Sequence, residues 1–256
     1  MEAILAGMSP TFFTLACGVA LVAGTVKGAV GFGMPMILVS GLGMFLSPEI
    51  ALAALIIPTV VANGAQALRQ GPRAAIVSVR RFHRFLLVGF VALVASAQMV
   101  RVMPQDILLL LIGSFVVVFT SSQLAGWRLQ VADGNRAWIE VVMAALAGFT
   151  GGMSGVWGPP TIAYLTALDT PKREHVRVQG VIYGLGAVAL LGAHIQSGIF
   201  NWQTAPLSFA LLGPAYLGMW LGGRLHDRMD QALFRRATLL GIAILAANLI
   251  RKGLMG

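Results

Sequence analysis

The chain has 256 residues, 57% of them hydrophobic and only 11% charged, with a mean hydropathy of +0.83. Soluble domains carry about 25% charged residues, so this composition excludes an ordinary globular fold and predicts a polytopic membrane protein. The net charge of +9 would suit a nucleic-acid binder, but the arginines sit in short loops between apolar runs, where positive charge sets orientation. No nucleic-acid partner is expected; the partner is the lipid bilayer.

Apolar runs fall at about residues 4–26, 34–46, 50–68, 85–100, 107–125, 137–150, 158–168, 178–195, 205–221 and 237–250. This predicts an all-α protein of ten helical segments, five per half. Seven or eight full spans plus re-entrant pieces fit the same runs. The start, Met1-Glu-Ala-Ile-Leu, lacks the positive region of a cleavable signal, so the first helix is expected to be retained in a multi-pass protein of the inner (plasma) membrane. Cys17 is the single cysteine, which excludes an internal disulfide and a thiolate metal cluster.

Two runs end in related stretches. The first is Gly24-Thr-Val-Lys27-Gly28-Ala-Val-Gly31-Phe32-Gly33-Met-Pro35, and the second is Gly148-Phe-Thr-Gly151-Gly152-Met-Ser154-Gly155-Val156-Trp157-Gly158-Pro159-Pro160. Shifted by 124 positions, Gly24 falls on Gly148, Gly28 on Gly152, Gly31 on Gly155 and Pro35 on Pro159. Four ordered matches indicate an internal duplication: residues 1–125 form a first repeat and 126–256 a second, within one membrane domain. Gly and Pro destabilise helix interiors, so both stretches are expected to break, and the short runs 34–46 and 158–168 to be half-helices or re-entrant segments. Irregular backbone at membrane depth is tolerated only where protein buries it or it lines a cavity. A pair of such breaks in corresponding positions points to a transporter's binding site.

Loop charge predicts the orientation. Residues 69–84 carry Arg69, Arg73, Arg80, Arg81 and Arg84 and no acid, which predicts a cytoplasmic loop. The corresponding loop of the second half, 197–203, is uncharged. The nearly bare turn 47–49 corresponds to the basic 169–177, and the one-arginine turn 101–106 to the four-arginine loop 224–236. Charge bias thus swaps between halves. Five segments per half would make the second half enter from the opposite face, so the repeats are expected to be inverted. Arg251 and Lys252 run against this scheme, which puts them outside.

A proline at the start of a helix is pre-organised there, and the unpaired N–H groups of a helix start attract anions. Gly28, Gly31, Gly33 and Pro35 are therefore expected on one wall of a midplane site, with Gly152, Gly155, Gly158 and Pro159 opposite. Lys27 is the only lysine within an apolar run, and a charge at that depth is functional by default. Asn63 and Gln66, three apart on one helix face, join Ser154 and Gln179 as candidate polar contacts. No Asp or Glu lies in the middle of a run, so an anionic cargo is favoured, with the coupling ion, proton or sodium, left open. The plainer alternative is that the glycines only permit close helix packing. Phe32 and Trp157 either gate the site or pack.

Two other readings remain. Gly152-Met-Ser154-Gly155 matches the G-x-S-G pattern of rhomboid-type intramembrane proteases, with His194 on a later segment as a base. A non-transporting structural membrane subunit is the second, and a homo-oligomer is compatible with any of these. The sequence contains no metalloprotease motif, phosphate-binding loop or dinucleotide fingerprint, so no cofactor or metal is expected.

On its two glycine breaks with their prolines, Gly24–Pro35 and Gly148–Pro160, and on its duplicated layout, the chain resembles the TauE/SafE membrane permeases, also called the sulfite exporter or TSUP family. The resemblance implies secondary transport or export of sulfite, sulfonates or related sulfur-containing organic acids by alternating access. Phe32 and the pair Val156-Trp157 depart from it, being bulky where small residues are expected.

Overall fold

The computed structural model describes residues 9–126, 131, 133–225 and 231–255. Among these are eleven α-helices and no strand: α1 Pro10–Val30, α2 Met34–Leu42, α3 Pro48–Leu68, α4 Pro72–Arg81, α5 His83–Val102, α6 Gln105–Leu124, α7 Arg136–Ser154, α8 Gly158–Ala167, α9 Lys172–Gln196, α10 Ala205–Leu225 and α11 Gln231–Met255. Seven of them, α1, α3, α5, α6, α7, α9 and α10, are long and apolar enough to cross a bilayer. This is the expected all-helical, multi-pass membrane architecture.

Local chemistry sets the helix starts. Ser9 and Ser47 cap α1 and α3, their hydroxyls accepting from the amides of Phe12 and Ile50 at 3.4 Å each. Pro10 and Pro48 follow at the first helical position, where a missing N–H is harmless. Every apolar run carries a helix. The eleventh helix, α4, lies inside the arginine-rich stretch 69–84 that the sequence reading treats as a loop. Its short alternation of arginines with Ile76 and Val77 is too brief to register as an apolar run.

The breaks are narrower than expected. Helix α1 runs on through Gly24 and Gly28 and stops only at Gly31 (φ +84°), whose N–H bonds the Lys27 carbonyl at 2.8 Å. Helix α7 runs through Gly148 and Gly152 and stops at Gly155 (φ +68°), whose N–H bonds Gly151 at 2.8 Å. The same cap thus recurs at the 124-residue offset, and only 31–33 and 155–157 leave the helix.

Glycine persists in these helices because of close packing. A Cβ on Gly24 or Gly28 would overlap the backbone of Ala215 and Met219 in α10, and one on Gly218 or Gly222 that of Leu21 and Thr25 in α1. In the other half, Gly148 meets Gly89, and Gly152 meets Leu93 and Ser96, all in α5. Small residues let helix backbones approach within a bilayer, which offsets the roughly 1 kcal/mol cost of glycine in a helix. The pairings are reciprocal: α1 lies along α10 and α7 along α5, while α3 packs on α9 and α6 on α11.

Candidate functional site

The two half-helices α2 and α8 begin at one small cavity. Its volume is about 20 Å³, and it is lined by Lys27, Phe32, Gly33, Pro35, Met36, Asn63, Val156, Trp157, Gly158 and Tyr183. Gly33 (φ +95°) turns the chain into α2, with Pro35 in its first turn, and Gly158 opens α8 ahead of Pro159. Each break therefore delivers the positive end of a half-helix to the same space.

Lys27 is 4% exposed and lies in the last turn of α1. Its ammonium donates to Asn63 Oδ1 and Gln66 Oε1 at 2.5 Å each, with the Gly31 carbonyl at 3.4 Å. It also stands 5.6 Å from the centre of the Tyr183 ring. Every one of these acceptors is neutral, and the ion pairs among the described residues involve only Arg81, Glu174 and Arg177. A buried charge without a counter-charge is costly, and among the described residues no carboxylate pairs with Lys27. Gln66 is itself positioned by α9, donating through Nε2 to the Val176 carbonyl at 2.9 Å.

The two halves furnish this space differently. At the 124-residue offset, Lys27 corresponds to Gly151 and Gly33 to Trp157. The vacancy at Gly151 is filled by the Trp157 indole, whose Cε3 lies 2.8 Å from where a Cβ would stand. One half therefore contributes a cation and a bare backbone, the other an indole. Tyr183 completes the aromatic wall, donating its hydroxyl to the Gly158 carbonyl at 3.3 Å with its ring 6.3 Å from that of Trp157.

Of the residues expected here, Lys27, Gly33, Pro35, Asn63 and Gly158 line the cavity, and Gln66 reaches it through Lys27. Gly28 and Gly152 do not; they serve the helix contacts described above, because an interface of that closeness admits no side chain. Gly31 caps α1, Gly155 abuts Leu55, and Pro159 lies buried in the first turn of α8. Gln179 is buried on α9, next to Gly180, which meets the backbone of Gln66 and Ala67. Ser154 ends α7, its hydroxyl donating to the Thr150 carbonyl at 2.7 Å and accepting from the Val156 amide at 3.3 Å. His194 instead faces the Ser197 hydroxyl at 3.4 Å. Ser154 and His194 thus form no hydrogen-bonded pair. Val156, the bulky departure in the second break, lines the cavity too; Met36 and Tyr183 join it without having been expected as site residues, a tyrosine within a span being the available signal.

A family model described as "Sulfite exporter TauE/SafE" matches residues 16–249. The chain belongs to the TauE/SafE family. It is therefore a membrane transporter of the sulfite-exporter type and not an enzyme, which removes the protease reading. No curated protein and no solved structure matches the chain. The TauE/SafE match spans both glycine breaks and both half-helices, so the cavity falls wholly within the family's extent.

Proposed function

We propose that this TauE/SafE transporter carries a small oxyanion, sulfite or an organosulfonate or related sulfur-containing acid, through the cavity between α2 and α8. The observation that carries the reading is the buried Lys27 ammonium, held by three neutral carbonyl oxygens beside two helix starts. An anion placed there gains the charge of Lys27, the exposed N–H groups of α2 and α8, and their dipoles.

Transport then proceeds by alternating access. A cavity of about 20 Å³ has room for roughly one water, so binding a sulfur oxyanion requires the Phe32, Trp157 and Tyr183 wall to withdraw. The reciprocal helix pairings and the recurring caps fit a duplicated fold whose halves rock against each other about the site. We take the halves to be inverted, with residues 69–84 cytoplasmic, on the opposite loop charges described above.

Thermal stability of the purified protein against sulfite, thiosulfate, alkylsulfonates and carboxylates tests this reading. A ligand bound only by the folded state raises stability with occupancy. A selective rise with sulfur oxyanions, which needs more ligand in Lys27→Gln, is expected. A rise that persists unchanged in that variant would remove Lys27 from the anion's hosts.

A further inference from the structure

Helix α4 is short, and both its ends are tied to spanning helices. Residues 69–71 join it to the end of α3, and Phe82 alone joins it to α5. A helix held this way sits where two candidate spans end. Its inner side is fixed to the start of α9: Arg177 Nε donates to the Ser78 hydroxyl at 2.9 Å, and Arg81 pairs with Glu174 at 2.5 Å. Ser78 and Phe82 are buried.

The outer side has a different chemistry. Arg73, Ile76, Val77 and Arg80 follow one another at helical spacing on it, and all four are exposed. Ile76 and Val77 are 52% and 60% exposed, a small apolar patch set between arginines. The arginines bracket these two residues at either end of the face, with Arg69 and Arg84 just beyond it and also exposed. No acid lies within 69–84, and Glu174, the acid that meets this helix, is shared by Arg81 and Arg177. The guanidinium groups of Arg73 and Arg80 therefore face outward without an acidic partner among the described residues.

We propose that α4 is an interfacial anchor that binds anionic phospholipid headgroups. Ile76 and Val77 enter the boundary between headgroups and acyl chains, and Arg73 and Arg80 take lipid phosphates on either side of them. Apolar residues flanked by arginines on a surface-lying helix suit that boundary, where burial and charge attraction add. Guanidinium groups hold phosphate oxygens in bidentate fashion. A free phosphate offers the charge but nothing for Ile76 and Val77, which commits the surface to a bilayer.

The test places a bimane fluorophore at Ile76→Cys in a Cys17→Ala background, reconstituted in vesicles of phosphatidylcholine with or without phosphatidylglycerol. Quenching by brominated lipids of each type reads which headgroup sits beside the helix. Two arginines near an anionic surface correspond to a preference for phosphatidylglycerol of roughly thirtyfold at low salt. That preference should fall to near parity in Arg73→Gln/Arg80→Gln. High salt should reduce it in the protein with both arginines intact, which serves as the check where the double variant does not fold. Equal quenching by both lipids with the arginines present would overturn the proposal. So would quenching by aqueous iodide but not by lipid, or protection from both quenchers, which would mean a second copy of the chain covers the face. Loss of the preference on adding inorganic phosphate, but not chloride at the same ionic strength, would reassign the arginines to a soluble anion.

Discussion

The hydroxyl of Ser208 in α10 donates to the carbonyl of Ala54 in α3 at 3.0 Å, and that carbonyl is the one Pro58 cannot serve. Proline has no N–H to give to the residue four before it, and in a bilayer no water replaces the lost bond. The same hydroxyl accepts the Ile57 amide at 3.0 Å, so one side chain from a neighbouring helix mends the interruption from both directions. Ser208→Ala should destabilise the protein by about 1–3 kcal/mol, the cost of leaving buried polar groups unpaired. Unfolding in detergent checks it. The loss should shrink in Pro58→Ala, where residue 58 regains an N–H; equal losses in both backgrounds would show that Ser208 acts through packing alone.

The glycines divide into two groups with opposite expectations. Gly28 and Gly152 have backbone of another helix where a side chain would go, whereas Gly18 and Gly192 have open space. Gly28→Ala and Gly152→Ala should each cost about 1–3 kcal/mol through forced separation of the helices. Gly18→Ala and Gly192→Ala should gain up to about 1 kcal/mol from improved helix propensity. Unfolding midpoints of the four variants distinguish the groups, and a neutral Gly28→Ala would undo the close-packing account.

These two cases show how far the sequence could be read. Spacing alone located the break positions, because Gly31, Gly33 and Gly155 need a left-handed backbone that only glycine adopts cheaply. It overextended them to Gly24 and Gly148, because glycine for close approach and glycine for a turn look alike until the partner helix is known. The meeting of Lys27 with Asn63 and Gln66 was likewise out of reach: the residues were evident as buried polar groups, but 36 and 39 positions of separation carry no local signal. Lys252 gives the converse case. Its cationic charge runs against the orientation expected from the other loops, yet its amine caps the end of α2, donating to the carbonyls of Gly43 at 3.0 Å and Met44 at 3.2 Å. A loop-charge count treats such a lysine like any other.

Lys27→Gln separates charge from hydrogen bonding at the cavity. The amide retains N–H donors toward Asn63 and Gln66, so the fold should survive, while the positive charge disappears. Hydrogen bonds to a charged group contribute about 1.5–3 kcal/mol, so sulfite affinity should fall between about tenfold and a hundredfold. Titration calorimetry on the purified protein gives the comparison directly. Full affinity in a folded Lys27→Gln protein would leave only the helix starts as the anion's hosts.

Trp157 sets the size of cargo in this reading. Its indole occupies the place of a side chain at 151, touches Tyr183 and borders the cavity opposite Lys27. Shortening it in Trp157→Leu keeps an apolar wall while opening space beside the α8 start. The charge that attracts the anion is untouched, so sulfite should still bind, but sulfonates with a bulky organic group should gain on it. Each added methylene accommodated in an apolar pocket is worth about 1–3 kcal/mol, so the preference should move by about tenfold or more. Competition between sulfite and a series of alkylsulfonates of increasing length measures the change. An unaltered order of preference would mean that the indole supports α7 and α8 without meeting the cargo, and that the selective wall lies with Phe32 or Tyr183.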